Sequence, residues 1–391
     1  MPLAPDWRIY EHVRIFVRLE SSALADLSCA GETHHRRPPE AGRGEIRGAK
    51  GAGLNAISAV VAAGDRRAAK DVYGQSKIYL ELGGMPLVAH VVVALQGVPE
   101  VSEVWVVGDA ERLQAVFARE EIRRNLVKPL HVVGQFRNLY ENVWQTYRRL
   151  LPGAAEEGRD PSEADEQRRV LYLSGDLPFA TPQEISEFTR RALKVDCDYA
   201  LGLVTEASME AFYPEAPGEP GIRMAYFNLQ EGRFRTSNLH LVKPARIVNR
   251  TYIEEMYEHR YQKQFGNVVG LAWTLVRKEE GGLQILAYYL LVHLAGVLNR
   301  NGWRRVADRI RSWIPLGRIA EACSSLLRTD FRFVITDVGG CALDIDNEHD
   351  YDVAELAFAK WKAAQLERAE RLYGGLPARS DPPPLESSSI Q

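Results

Sequence analysis

The sequence is poor in cysteine, has no long uncharged run and carries no excess of one charge. Its 391 residues hold four cysteines (Cys29, Cys197, Cys323, Cys341), widely spaced and with no C-x-x-C pair. This argues against a zinc knuckle or a secreted disulfide framework and fits a reducing cytoplasm. The N-terminus lacks the compact apolar core of a signal peptide. The longest apolar run, 283–298, falls short of the roughly 18 residues expected of a spanning helix. A formal net charge of -3 gives no global attraction for nucleic acid, so any anionic ligand must be held by a local site. A P-loop, G-x-x-x-x-G-K-[ST], is absent, and Gly51-x-Gly53-x-x-Ala56 precedes the first strand candidate where a dinucleotide fingerprint would follow it.

What remains is an ordinary globular composition, 46% hydrophobic and 26% charged. Residues 1–54 end in a Gly-, Arg- and Pro-rich run that buries too little apolar surface to order itself, so a tail is expected there. From residue 55, short apolar runs at 56–62, 104–108, 130–134, 170–173 and 199–204 alternate with helical patterns at 86–95, 139–150 and 182–193. Nearly continuous apolar strands separated by helices predict an α/β fold with a mostly parallel sheet and helices on both faces. Thr181, Pro182 and Glu184 form a helix start with N-cap, N1 and N3 residues. Hairpin-like runs follow near 224–228 and 239–242, then a helical insertion over about 252–327, a strand at 331–336 and a closing helix at 351–373. The unit is expected to span 55–373, with 374–391 a second disordered tail.

Three segments carry candidate chemistry. Ala62, Ala63 and Gly64 end the first strand in a small-residue turn that lets backbone N–H groups approach phosphate, and Arg66, Arg67 and Lys77 supply positive charge. In Ser174-Gly175-Asp176-Leu177-Pro178, a strand runs into Asp176 and then a proline that blocks helix, which aims the carboxylate outward from the strand's C-terminal end. In Asp344-Ile345-Asp346-Asn347, two carboxylates share a strand face, and Asp346 or Asn347 is placed to cap the next helix. Each segment alone also has a structural reading, as a solvated loop or a capping turn. Together they offer cations for a polyphosphate and carboxylates for a Mg²⁺.

In this order the three segments resemble the MobA-like NTP transferases, the nucleotidyltransferase branch of the GT-A fold. Ala62-Ala63-Gly64 through Lys77, the run Lys77-Ile-Tyr-Leu-Glu-Leu-Gly-Gly-Met-Pro-Leu, Gly175-Asp176-Leu-Pro-Phe and Asp344-Ile-Asp346-Asn-Glu-His-Asp350 are similar to the family's motifs, over roughly half the chain. The resemblance implies a GT-A/Rossmann-like fold and a Mg²⁺-dependent transfer of NMP from an NTP to a phosphorylated small molecule. It implies that Arg67, Lys77, Asp176 and Asp346 are catalytic and that Asp176 and Asp346 hold the metal. Ser76 stands where the family has proline, and the longer loop leaves the choice between Arg66 and Arg67 open. Gln135, Asn138 and Asn142 fall where the family meets base and ribose, and Lys243 is the candidate for the acceptor phosphate.

Two other functions compete. Asp344-Ile-Asp346 also reads as the D-x-D of a GT-A glycosyltransferase, although it lies near the C-terminus, and a non-catalytic nucleotide-binding protein is the third reading. The segment 283–322, with Trp303, Val306, Ile310 and Trp313 at helical spacing beside Arg304, Arg305, Arg309 and Arg311, is the candidate for peripheral docking on a membrane or a lipid-like acceptor. Its alternative is a helical hairpin packed on the sheet.

Overall fold

The computed structural model describes residues 57–65, 71–216, 219–250, 287–288, 291, 294–298 and 301–376. Arg66 and Arg67, the expected tail 1–54, the first part of the helical insertion (251–286) and residues 377–391 lie outside the described residues.

Four strands pair in parallel: β1 (Ile57–Ala63), β2 (Val101–Gly108), β3 (Leu130–Gly134) and β4 (Val170–Ser174). β1 reads Ile-Ser-Ala-Val-Val-Ala-Ala and is almost wholly buried, because helices cover both faces of the sheet. On one face lie α1 (Leu87–Gln96) and α4 (Pro182–Lys194), and Val61, Val88, Leu95, Ile185 and Phe188 share one core. Between them in sequence come α2 (Ala110–Ala118) and α3 (Leu139–Leu150), and α3 packs Tyr147 and Leu150 against Val60 and Val107 on the opposite face. The Thr181 side chain caps α4 by accepting from Glu184 N at 3.2 Å.

Beyond β5 (Tyr199–Thr205) the winding reverses. A hairpin of β6 (Phe227–Leu229) and β7 (Gly232–Val242) inserts β7 antiparallel between β4 and β5, and β8 (Phe331–Thr336) closes the edge parallel to β5. The order is β8-β5-β7-β4-β1-β2-β3, with β6 on β7, eight strands among the described residues. The fold is therefore α/β with a mostly parallel sheet, as expected from sequence. β7 begins well before the apolar run 239–242, because its first half alternates arginines with buried residues and carries a register break between Thr236 and His240. Asn238 sits in that break at φ 53, a left-handed conformation asparagine tolerates better than most side chains.

Two helices, α5 (Arg304–Arg311) and α6 (Leu316–Leu327), cover the outer face of β5 and β8. Ile310 is buried there with Ile314, Ile319 and Phe331, whereas Trp303 and Trp313 are 63% and 54% exposed. The expected apolar docking stripe is thus divided, since Ile310 turns into the core and away from the tryptophans. No helix among the described residues is long and apolar enough to cross a membrane. The last helix, α7 (Glu348–Tyr373), packs Trp361 against Phe179 and Phe212.

Candidate active site

The C-terminal ends of the parallel strands line up, because Ala62 is in register with Val107 and Ser174, and Gly175 N donates to Ala62 O at 2.9 Å. Everything that follows β1, β2, β3 and β4 therefore emerges on one edge of the sheet, where ligands collect in open α/β folds. Gly64 opens the loop after β1. A Cβ there would fall 2.7 Å from Asn142 Nδ2, so only glycine lets that amide approach the loop backbone. Asp65 N donates to Gln135 Oε1 at 3.0 Å, and Gln135 Nε2 returns a bond to Asp65 Oδ1. Asn142 accepts from Phe136 N at 2.6 Å, and Asn138 is the N-cap of α3, accepting from Glu141 N at 2.8 Å. Gln135 thus braces the glycine loop, Asn142 packs against Gly64, and the Asn138 side chain starts a helix.

Asp176 is buried at the end of β4, where Ser174 Oγ donates to it at 2.5 Å. From the far end of the chain, the segment after β8 crosses this edge and brings Asp344 and Asp346 beside it. Oxygens from the three carboxylates lie within 4.8 Å of one another. Hard oxygen donors gathered so closely fit a Mg²⁺ that keeps water or phosphate as its other ligands. Lys77 joins them, paired with Asp176 and, at 2.7 Å, with Asp346. Burial alone would lower the Lys77 pKa, but Asp176, Asp346 and Asp344 outweigh it and hold the ammonium above its usual range. Asn347, not Asp346, caps α7, accepting from Asp350 N at 3.0 Å, which leaves the Asp346 carboxylate for the cluster.

The resemblance names Asp176 and Asp346 as the metal ligands, and the structure sets Asp344 in the same cluster and pairs it with Arg235 of β7 at 2.9 Å. Arg235 also donates to Ala342 O at 2.7 Å. A cavity of about 260 Å³ opens beside Asp344 and Asp346 and is lined by Arg223, Arg235, His349, Ile222 and Met224. Arg223 and His349 carry no motif that marks them. An arginine two residues after a Pro-Gly turn is the available signal, but nothing in the sequence brings it to position 346.

Lys243 does not belong to this site. Because β7 runs antiparallel to β4, Val242 pairs with Val170 at the start of that strand, and Lys243 emerges on the opposite edge of the sheet. There it is buried and paired with Asp198 at 3.3 Å.

The family comparison agrees with this geometry. Residues 59–221 match the family model of the MobA-like NTP transferase domain. The 2-C-methyl-D-erythritol 4-phosphate cytidylyltransferase of Chlorobium luteolum (strain DSM 273 / BCRC 81028 / 2530) is 26% identical over 143 residues, which are 36% of this chain and 56% of that enzyme. The chain thus spans about half the length of this curated relative. A hypothetical transferase from Thermus thermophilus has a TM-score of 0.44 and 19% identity, over 75% of this chain and 99% of that one. The 4-diphosphocytidyl-2C-methyl-D-erythritol synthase of Anaerococcus prevotii has a TM-score of 0.39 and 12% identity, over 78% and 100%.

Proposed function

From the match of residues 59–221 to the MobA-like NTP transferase domain, we propose that the chain transfers NMP from an NTP to a phosphorylated small molecule and releases pyrophosphate. The observation that carries this reading is the gathering of Asp176, Asp344 and Asp346 around Lys77, beside the glycine loop and at the mouth of a cavity. Asp176 and Asp346 would hold a Mg²⁺ with Asp344 beside them. Bound there, the ion would supply neutralisation of the negative charge that builds on departing pyrophosphate.

The chain's own residues do the positioning. Gly64 and its neighbours offer backbone N–H groups to the triphosphate, and Lys77, with Arg66 or Arg67, offers point and forked charge. Gln135 bonds that loop and Asn142 packs against Gly64. A phosphomonoester acceptor is already largely a dianion at neutral pH, with a second pKa of about 6, so its oxygen attacks the α-phosphorus without a strong general base. Rate then comes from alignment and from fixed charge around the leaving group. The acceptor occupies the cavity, with Arg223 and His349 toward its anionic or hydroxyl groups and Ile222 and Met224 against its carbon skeleton.

A screen of the four NTPs against sugar, polyol and alcohol phosphates in the presence of Mg²⁺, read by pyrophosphate release, tests the proposal. Release that depends on both partners is expected. Turnover of a nucleotide sugar, with no pyrophosphate from any NTP, would overturn it in favour of glycosyl transfer.

A further inference from the structure

The two segments that carry the carboxylates come from opposite parts of the chain, and one backbone bond joins them directly, Ile345 N to Asp176 O at 3.3 Å. Their alignment is set from underneath. Glu184, fully buried in the first turn of α4, accepts from Cys341 N at 3.0 Å through Oε2 and so anchors the segment that leads to Asp344. Lys362 of α7 reaches the other segment, its Nζ donating to Pro178 O at 2.8 Å and Ala180 O at 3.0 Å, just beyond Asp176. Between these anchors Gly340 lies flat on Phe179, where any Cβ would collide with the Phe179 carbonyl. Asn238, in the register break of β7, adds a bond to Cys341 O at 3.2 Å.

Burying a carboxyl and an amino group is costly, and neither Glu184 nor Lys362 touches the cavity or the three aspartates. A purely structural role would be met more cheaply by apolar packing among Phe179, Phe212 and Trp361. What the two polar groups add is direction. A carboxyl oxygen of Glu184 fixes one N–H, and the Lys362 amino group fixes two carbonyls in the opposing loop, so the loops cannot slide past each other without leaving buried polar groups unpaired.

We propose that Glu184 and Lys362 are positioning residues that hold the Asp176 segment and the Asp344–Asp346 segment at the spacing a divalent cation requires. The proposal rests on reading those aspartates as a cation site. It concerns residues outside the three sequence motifs, which supply the cation's ligands and not their spacing.

The test uses the full chain, Mn²⁺ as the probe and four variants. Mn²⁺ binding is followed by the paramagnetic resonance of the free ion, and amide hydrogen exchange is followed in peptides covering 176–181 and 340–346. Glu184→Met removes the acceptor at nearly constant length and is expected to speed exchange in 340–346 and weaken Mn²⁺ binding about 10-fold. Glu184→Gln keeps a carbonyl acceptor and is expected to restore both. Lys362→Met is expected to speed exchange in 176–181 and to weaken Mn²⁺ binding to a similar degree. Asp346→Ala reports on the cation reading itself, because it removes a ligand and is expected to abolish the site while leaving exchange in 340–342 near wild type. Mn²⁺ binding unchanged by Asp346→Ala overturns the cation reading. Mn²⁺ binding that is lost in Asp346→Ala but unchanged in both Glu184→Met and Lys362→Met overturns the positioning role alone, as does loosening in Glu184→Met that Glu184→Gln fails to reverse.

Discussion

The two edges of the sheet carry clusters of similar composition and opposite character. At one edge, three carboxylates (Asp176, Asp344, Asp346) meet two cations, Lys77 and Arg235, so negative charge is in excess beside an open cavity. At the other, Asp198 and Glu166 meet Lys243 and Arg246, and a further carboxylate, Asp196, stands fully in solvent 3.9 Å from Lys243. The second cluster is satisfied from within the chain. In the first, carboxylates outnumber cations among the described residues, and a group of like charges held together by the fold is the arrangement a bound cation would complete. Ion pairs alone therefore do not distinguish the two edges; the difference is that three carboxylate oxygens converge within 4.8 Å at one of them, beside a cavity.

That contrast predicts opposite outcomes for charge removal at the two edges. Asp176→Ala and Asp346→Ala should each lower turnover by about 10²-fold or more, the scale of losing an electrostatic stabiliser, with the melting temperature held or raised as repulsion is relieved. Pyrophosphate release and thermal melts on the same preparations check this. Retained activity in either variant would return the acidic edge to the status of the other one. Lys243→Met should do the reverse, costing about 2 kcal/mol of stability by removing one of the two cations on Asp198, with Arg246 left to hold it, while leaving kcat/KM for both substrates within about 2-fold. A loss of acceptor affinity in that variant would break the distinction.

The next effects are more selective. Arg223→Ala should raise KM for the acceptor about 10-fold or more and leave KM for the NTP unchanged, since it lines the cavity beyond the carboxylates. Lys77→Met should instead remove the protection that NTP plus Mg²⁺ gives against thermal unfolding. The smallest effect concerns Glu184, buried like Lys243 but not held in a direct ion pair among the described residues. Burial raises its pKa to about 8, ahead of the opposing hydrogen bonds from Cys341. With the folded value above the ordinary 4.5, the fold favours the neutral form. The stability this carries is present in full below about pH 4.5 and is lost as pH rises toward 8. Glu184→Gln, which does not titrate, should therefore gain a few degrees in melting temperature over the wild type between pH 5 and pH 8. A constant difference across that window would remove the assigned shift.

Much of the acidic edge is legible in the amino-acid order alone. Val170–Ser174 is apolar because both faces of its strand are covered, and a strand that ends in Gly-Asp-Leu-Pro can only project its aspartate beyond the sheet. Thr181, Pro182 and Glu184 likewise announce a helix start through local chemistry. Strand direction has no such signature. Asn238 through Lys243 reads the same whether β7 is parallel or antiparallel, and the wrong direction carries Lys243 across the whole sheet. Arg235 and Asp344 escape for a related reason. Their pairing spans 109 residues and depends on how the segment after β8 folds back over the edge. Arg223 and His349 meet at a cavity that neither's neighbours in sequence foreshadow.

The bond between Lys77 and Asp346 joins positions 269 residues apart. At about 5–20 residues per second, a ribosome needs roughly 15 to 50 s to extend the chain from one to the other. Within that interval, from the completion of β5 to the synthesis of β8, β5 has no β8 to pair with, so a growing chain presents an uncovered strand edge of the kind that seeds aggregation. Such a nascent chain has the lysine and the first aspartate but no acidic cluster, so the activity proposed above would begin only once Asp344 and Asp346 are in place. Premature termination anywhere before β8 should then yield aggregation-prone, inactive fragments, a cost of translation borne by the architecture and not by the chemistry.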